Sequence, residues 1–90
     1  MVQVHIIVEG RVQGVNFRYY VLRKANELGI NGYVRNLKDG DVEILAQGTR
    51  DSIDKLIEYV KSNPGSSFVT NLDVNWEEPK TYFSKFQIKF

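Results

Sequence analysis

Apolar positions follow two rhythms along this chain, every second residue in some stretches and every third or fourth in others. In Val2–Glu9, Val4, Ile6 and Val8 alternate with Gln3, His5 and Glu9, which predicts a half-buried strand, while Ile7 makes the other face partly apolar. Phe17, Val21, Leu22, Ala25 and Leu28 then recur at helical spacing, so one face of a helix over 17–28 seeks a core. Asn16 stands where an N-cap belongs, and Gly29 where a helix stops. Asn31–Leu37 and Val42–Gln47 read as strands flanking Lys38-Asp39-Gly40-Asp41. Asp39-Gly40 predicts a hairpin there because both residue types tolerate positive φ. Ile53, Leu56, Ile57 and Val60 form the stripe of a second helix, about 50–62, with Thr49 as its cap and Asn63-Pro64-Gly65 as its stop. Phe68–Trp76 and Phe83–Phe90 predict two more strands, joined through Pro79 and Lys80. In the last of these Phe86, Ile88 and Phe90 alternate with Gln87 and Lys89.

The element order is therefore β-α-β-β-α-β, with an extra split or extension at the end. Each helix has one apolar face to cover, and the strands need the same cover on one side. An α+β, ferredoxin-like sandwich meets both needs: an antiparallel sheet with two helices packed on one face and right-handed crossovers. A chain of 90 residues is enough for one domain, expected over residues 1–90, and too short for two.

Composition narrows the chemistry. With no cysteine there are no disulfides, thiol nucleophiles or cysteine-ligated metals, and with one histidine, His5, no multi-histidine metal site forms within one chain. No apolar run is long enough for a membrane helix, and the start of the chain lacks the features of a secretion signal, so a cytoplasmic, metal-independent protein is expected. The net charge of +1 predicts no general affinity for nucleic acid or membrane. Residues 1–40 nevertheless carry six Lys/Arg against three Asp/Glu, while residues 41–90 carry six against eight, so the positive excess lies in the first half.

That half holds Gly10-Arg11-Val12-Gln13-Gly14-Val15-Asn16-Phe17-Arg18 between the first strand and the first helix. Glycines in such a turn let several backbone N–H groups converge on one point, and the opening turn of the helix adds unpaired donors and the positive end of its dipole. A phosphate or carboxylate suits that cradle, and the fork of Arg18 can curl back to bind two oxygens of the same anion. The alternative is a plain tight turn with a solvated Arg18; the spacing is neither of the common phosphate-loop motifs and leaves both open. Arg11 either screens an approaching anion or stands in water. In Gly32-Tyr33-Val34-Arg35-Asn36-Leu37, Asn36 shares a face with Val34. Its amide either holds a water near the glycine turn or ties down the hairpin.

Taken together, Gly10–Arg18, Gly32–Asn36 and Asp39-Gly40 resemble the two signature segments of the acylphosphatases, small ferredoxin-like enzymes of about this length. The resemblance spans the chain from first strand to last. It implies hydrolysis of the carboxyl-phosphate bond of an acyl phosphate to a carboxylate and inorganic phosphate, with no metal, no cofactor and no covalent phospho-enzyme. It further implies that Arg18 holds the phosphoryl group and Asn36 positions the attacking water. The phosphate would lie against Gln13, Gly14, Val15, Asn16, Phe17 and Arg18. One departure is Asn16, where the family commonly has a small or apolar residue. Asn accepts left-handed backbone and caps helices, so the loop geometry is expected to survive, and rate and affinity are what the departure touches.

Two other functions fit the same element order. RNA-recognition domains share it, but they display aromatics from a strand on the open sheet face. Here the third strand, Asp41–Gln47, has no aromatic and carries two acids; Tyr33, Trp76 and the C-terminal phenylalanines are left as candidates to cover that face. A non-catalytic interaction module is the other alternative, since acylphosphatase-like domains occur inside larger carbamoyl-phosphate-handling proteins. His5 reads as an ordinary strand residue. The apolar strands 68–76 and 83–90 leave edge pairing with a second copy open, although the resemblance implies a monomer.

Overall fold

The computed structural model describes all 90 residues. The elements are β1 (Val2–Arg11), α1 (Phe17–Glu27), β2 (Asn31–Asn36), β3 (Val42–Gly48), α2 (Arg50–Lys61), β4 (Phe68–Glu77) and β5 (Phe86–Lys89). Alternation in the strands places Val4, Ile6 and Val8 of β1, Val34 of β2, and Val42, Ile44 and Ala46 of β3 on one face, all fully buried. The helical stripes Phe17, Val21, Ala25 and Ile53, Leu56, Val60 close over that face and complete a single core. Each large apolar side chain removed from water there contributes roughly 1.5–3 kcal/mol, which is what holds both helices on one side.

The sheet order is β4-β1-β3-β2-β5. The first four strands of that order make the expected antiparallel ferredoxin-like arrangement. The fifth strand departs from it. β5 runs parallel to β2, so the complete sheet is mixed. After β4, at one edge, the chain crosses to the opposite edge past the end of the sheet where β1 begins, with Gln3 and Glu77 paired there. This crossing also shortens the last strand, which starts at Phe86 and not at Phe83. The fully buried Gln47 side chain pins the crossing segment: its Oε1 accepts from the Phe83 N–H at 3.0 Å and its Nε2 donates to the Thr81 carbonyl. Phe83 is thereby turned edge-on against Tyr33.

The open face is covered by only some of the aromatics that the sequence offered. Trp76 pairs with Val4 and so faces the helices, where the Arg50 guanidinium lies 4.1 Å from its ring centroid. Phe86 is part of the core. Tyr33 and Phe83 are the aromatics packed together on the open side, beside Glu43, whose carboxylate accepts from Arg35 and lies 2.7 Å from His5 Nε2. His5 is therefore one member of an ionic network. No helix is long and apolar enough to cross a membrane.

Helix ends follow local chemistry. Thr49 caps α2, its hydroxyl accepting from the Ser52 N–H at 3.1 Å. Asn16 occupies the N-cap position of α1 but caps differently from the expectation. Its φ of 61° is left-handed and its side chain makes no capping bond, while its carbonyl accepts from the Tyr19 and Tyr20 N–H groups. In the β2–β3 hairpin only Gly40 takes positive φ; Asp39 contributes instead through its carboxylate, which accepts from the Asp41 N–H.

Candidate active site

The first strand ends in an irregularity that the glycine makes possible. The β1–β4 register shifts between Glu9 and Gly10, and Gly10 adopts φ 131° directly against the Phe68 carbonyl. A Cβ there would run into that carbonyl, so the position demands glycine for conformation and for space. Gly14 takes φ 75° but faces open space, so only conformation matters. Between them Val12 is buried, and Phe17 is buried at the start of the helix, so both ends of the loop are anchored in the core. What lies between is lifted out as a short arch.

Along that arch the backbone N–H groups from Gln13 through Arg18 donate to no acceptor in the protein. The left-handed turn at Asn16 brings the chain into the first turn of α1, where unpaired donors and the helix dipole add together. Val15 packs against the core while Gly14 and Asn16 are exposed. Arg18 is the second residue of α1. Its guanidinium meets no carboxylate; it lies over the Phe90 ring, 5.0 Å from the centroid. A free cation thus stands beside a set of free N–H donors, an arrangement that attracts an anion with several oxygens.

Asn36 is the last residue of β2. Val8, Val42 and Asn36 form one row across β1, β3 and β2, so Asn36 stands at the same end of the sheet as the arch. It shares the helix-covered face with Val34, and its Oδ1 is buried without a protein hydrogen-bond partner. Buried acceptors are nearly always satisfied, so this oxygen marks a place for a water or a ligand donor.

The Gln13 side chain is tied to the β2–β3 hairpin. Its Nε2 donates to the Leu37 and Asp41 carbonyls, both at 2.8 Å, and leaves only the main-chain N–H facing an anion. Arg11 is exposed, and with Ser66, Ser67 and Phe68 it lines a shallow hollow beside the start of the arch. His5 belongs to the open face and takes no part in the site. Two features had no signal in the sequence: the Gln13 side-chain bonds and the placement of Phe90 beside Arg18.

A sequence model described as Acylphosphatase matches residues 4–88. The chain belongs to the acylphosphatase family. It is similar to the acylphosphatase of Chloroflexus aurantiacus, 46% identical over 79 residues that cover 88% of this chain and 86% of that protein. A crystal structure of acylphosphatase from Bacillus subtilis superposes with a TM-score of 0.96 at 40% identity, covering 100% of both chains. The fold also matches HypF from T. kodakarensis, with a TM-score of 0.87 at 33% identity; 100% of this chain aligns to 12% of that one. Family membership with near-complete coverage of free-standing acylphosphatases makes this chain an enzyme, an acylphosphatase of ferredoxin-like fold.

Proposed function

We propose that this acylphosphatase works without a metal, holding the phosphoryl group of its substrate in the arch and attacking it with a water held by Asn36. The N–H groups of Gln13, Gly14, Val15, Asn16 and Phe17 and the guanidinium of Arg18 bind the phosphoryl oxygens. Asn36 Oδ1 accepts a hydrogen bond from the water and turns an oxygen lone pair toward phosphorus. The water oxygen forms the new bond to phosphorus as the bond to the acyl oxygen breaks, and the carboxylate leaves with the electron pair. The water's proton passes to a phosphoryl oxygen, giving inorganic phosphate. Phosphoryl transfer has a loose transition state and little covalent work for the protein, so positioning and charge stabilisation suffice. A carboxylate leaves readily and needs no general acid.

The observation that carries this reading is the buried, unpartnered Asn36 oxygen at the same end of the sheet as the free donors of the arch. All these groups come from one chain, which supports a catalytic monomer, and a fold with no cysteine suits the cytoplasm. The reading treats residues 1–90 as one domain. A second reading, a non-catalytic module, draws on the match to a small part of the HypF chain. Benzoyl phosphate hydrolysis in EDTA separates them. The wild type is expected to be active, with Arg18→Gln and Asn36→Ala each folded and reduced by about 10²-fold or more, the scale of losing a transition-state donor. Loss of wild-type activity in EDTA, or full activity in either variant, contradicts the proposed mechanism.

A further inference from the structure

The arch and Asn36 come from different parts of the chain and are not joined by the sheet ladder. The arch hangs between Val12 and Phe17; Asn36 ends β2 at the hairpin. One side chain bridges them. Gln13 Nε2 reaches the Leu37 carbonyl, immediately after Asn36, and the Asp41 carbonyl, immediately before Val42, each at 2.8 Å. These two carbonyls also close the hairpin itself: Asp41 O accepts from the Leu37 N–H at 2.8 Å, and Leu37 O from the Gly40 N–H at 3.3 Å. Both amide hydrogens of Gln13 are thus committed to the hairpin, and none is left for a substrate.

Resting on the mechanism proposed above, we infer that Gln13 is a positioning residue, a strut that fixes the distance between the bound phosphorus and the water on Asn36. The two halves of the reaction need different things. Phosphate binding needs the arch N–H groups and Arg18, which are consecutive in the chain and keep their mutual geometry through the core anchors at either end. Attack needs the water in line at about 3–3.5 Å from phosphorus, and a displacement of about 1 Å costs roughly 10²-fold in rate. Removing the strut therefore spares binding and damages turnover. A residue contacting phosphate would damage both together.

The test uses Gln13→Met, which keeps length and removes both donors, and Gln13→Asn, which keeps an amide one methylene short of the carbonyls. For each, kcat and KM for benzoyl phosphate, the inhibition constant of inorganic phosphate and the urea unfolding midpoint are measured. The expected result is a fall in kcat of about tenfold or more, with phosphate inhibition changed by less than about threefold, in whichever variant is folded. A kcat within about threefold of wild type overturns the strut. So does a parallel loss of kcat and phosphate inhibition, which would make Gln13 a phosphate contact or a general support of the arch. Failure of both variants to fold overturns it too, since the residue would then serve stability first. An inactive wild type would sink the underlying mechanism, and the strut with it, and is distinguished by the first assay.

Discussion

Asn36 holds a buried amide oxygen with no protein donor, and a buried acceptor left in that state costs about 1–3 kcal/mol. Replacement by a side chain of the same size without the polar atoms relieves that cost. Asn36→Leu is expected to raise the unfolding free energy in urea by about 1 kcal/mol while activity falls to background. A destabilised and active Asn36→Leu would mean that the Asn36 side chain serves the fold and not the reaction. Arg18 carries the complementary prediction. Arg18→Lys keeps the charge and loses the planar fork, so kcat/KM is expected to drop by about 10²-fold with inorganic phosphate inhibiting more weakly. Steady-state kinetics with phosphate as competitor reads both effects. Among single residues, Arg18 and Asn36 stand out only through the resemblance of their two segments to the acylphosphatase signatures. Spacing alone left Arg18 open between an anion contact and a solvated side chain, and Asn36 between a water and the hairpin. The Gln13 bonds were not legible, because an amide is equally able to meet water, an anion or a carbonyl, and its partners lie more than twenty residues away. Phe90 was hidden for a related reason: its place beside Arg18 follows from which edge β5 joins.

The strand-to-helix arch asks different things of its two glycines. Gly10→Ala meets the Phe68 carbonyl as well as an unfavourable φ, so it is expected to cost more than about 2 kcal/mol, whereas Gly14→Ala meets open space and costs about 1 kcal/mol from φ alone. Urea denaturation of the pair checks the order; equal losses would mean that the bulge at Glu9/Gly10 relaxes. Elements in this chain were mostly legible because each apolar stripe is clean and each boundary carries turn chemistry. Thr49 and Gly29 act as their residue types suggest. Asn16 does so only in part: it takes the left-handed backbone that Asn tolerates, but its side chain makes no cap, and the reason is local. An N-cap side chain bonds back when its backbone is extended, but the arch sets Asn16 left-handed, and its carbonyl does the capping instead.

Across the whole molecule the open face of the sheet is governed by Glu43. Burial pushes its carboxyl up, but hydrogen bonds from His5 and Arg35, with their charges, outweigh burial and hold it below the ordinary glutamate value. A carboxyl depressed on folding adds stability that is fully present above its unfolded pKa and is lost as pH falls through its folded pKa. Wild-type stability should therefore decline on the acid side, below the usual glutamate range, and Glu43→Gln should flatten that limb. Unfolding midpoints across acidic pH test this; an unchanged acid limb would assign the loss to other carboxylates. Tyr33, packed beside Glu43, is pushed up by burial and then by that same carboxylate, and it titrates far above this window. Fold class could be read from the alternation and stripes, yet the parallel β5 could not. Strand direction at an edge depends on where the crossing segment is pinned, and the pin is the buried Gln47, which looks like any other polar residue in a strand.

The proposed mechanism stands or falls on a water held by Asn36 attacking phosphorus and not the acyl carbon. Hydrolysis of benzoyl phosphate in water enriched in oxygen-18, followed by mass spectrometry of both products, distinguishes the two. One heavy oxygen is expected in inorganic phosphate and none in benzoate. Label in benzoate would place the attack at the carbonyl and contradict the catalytic roles of the arch, Arg18 and Asn36.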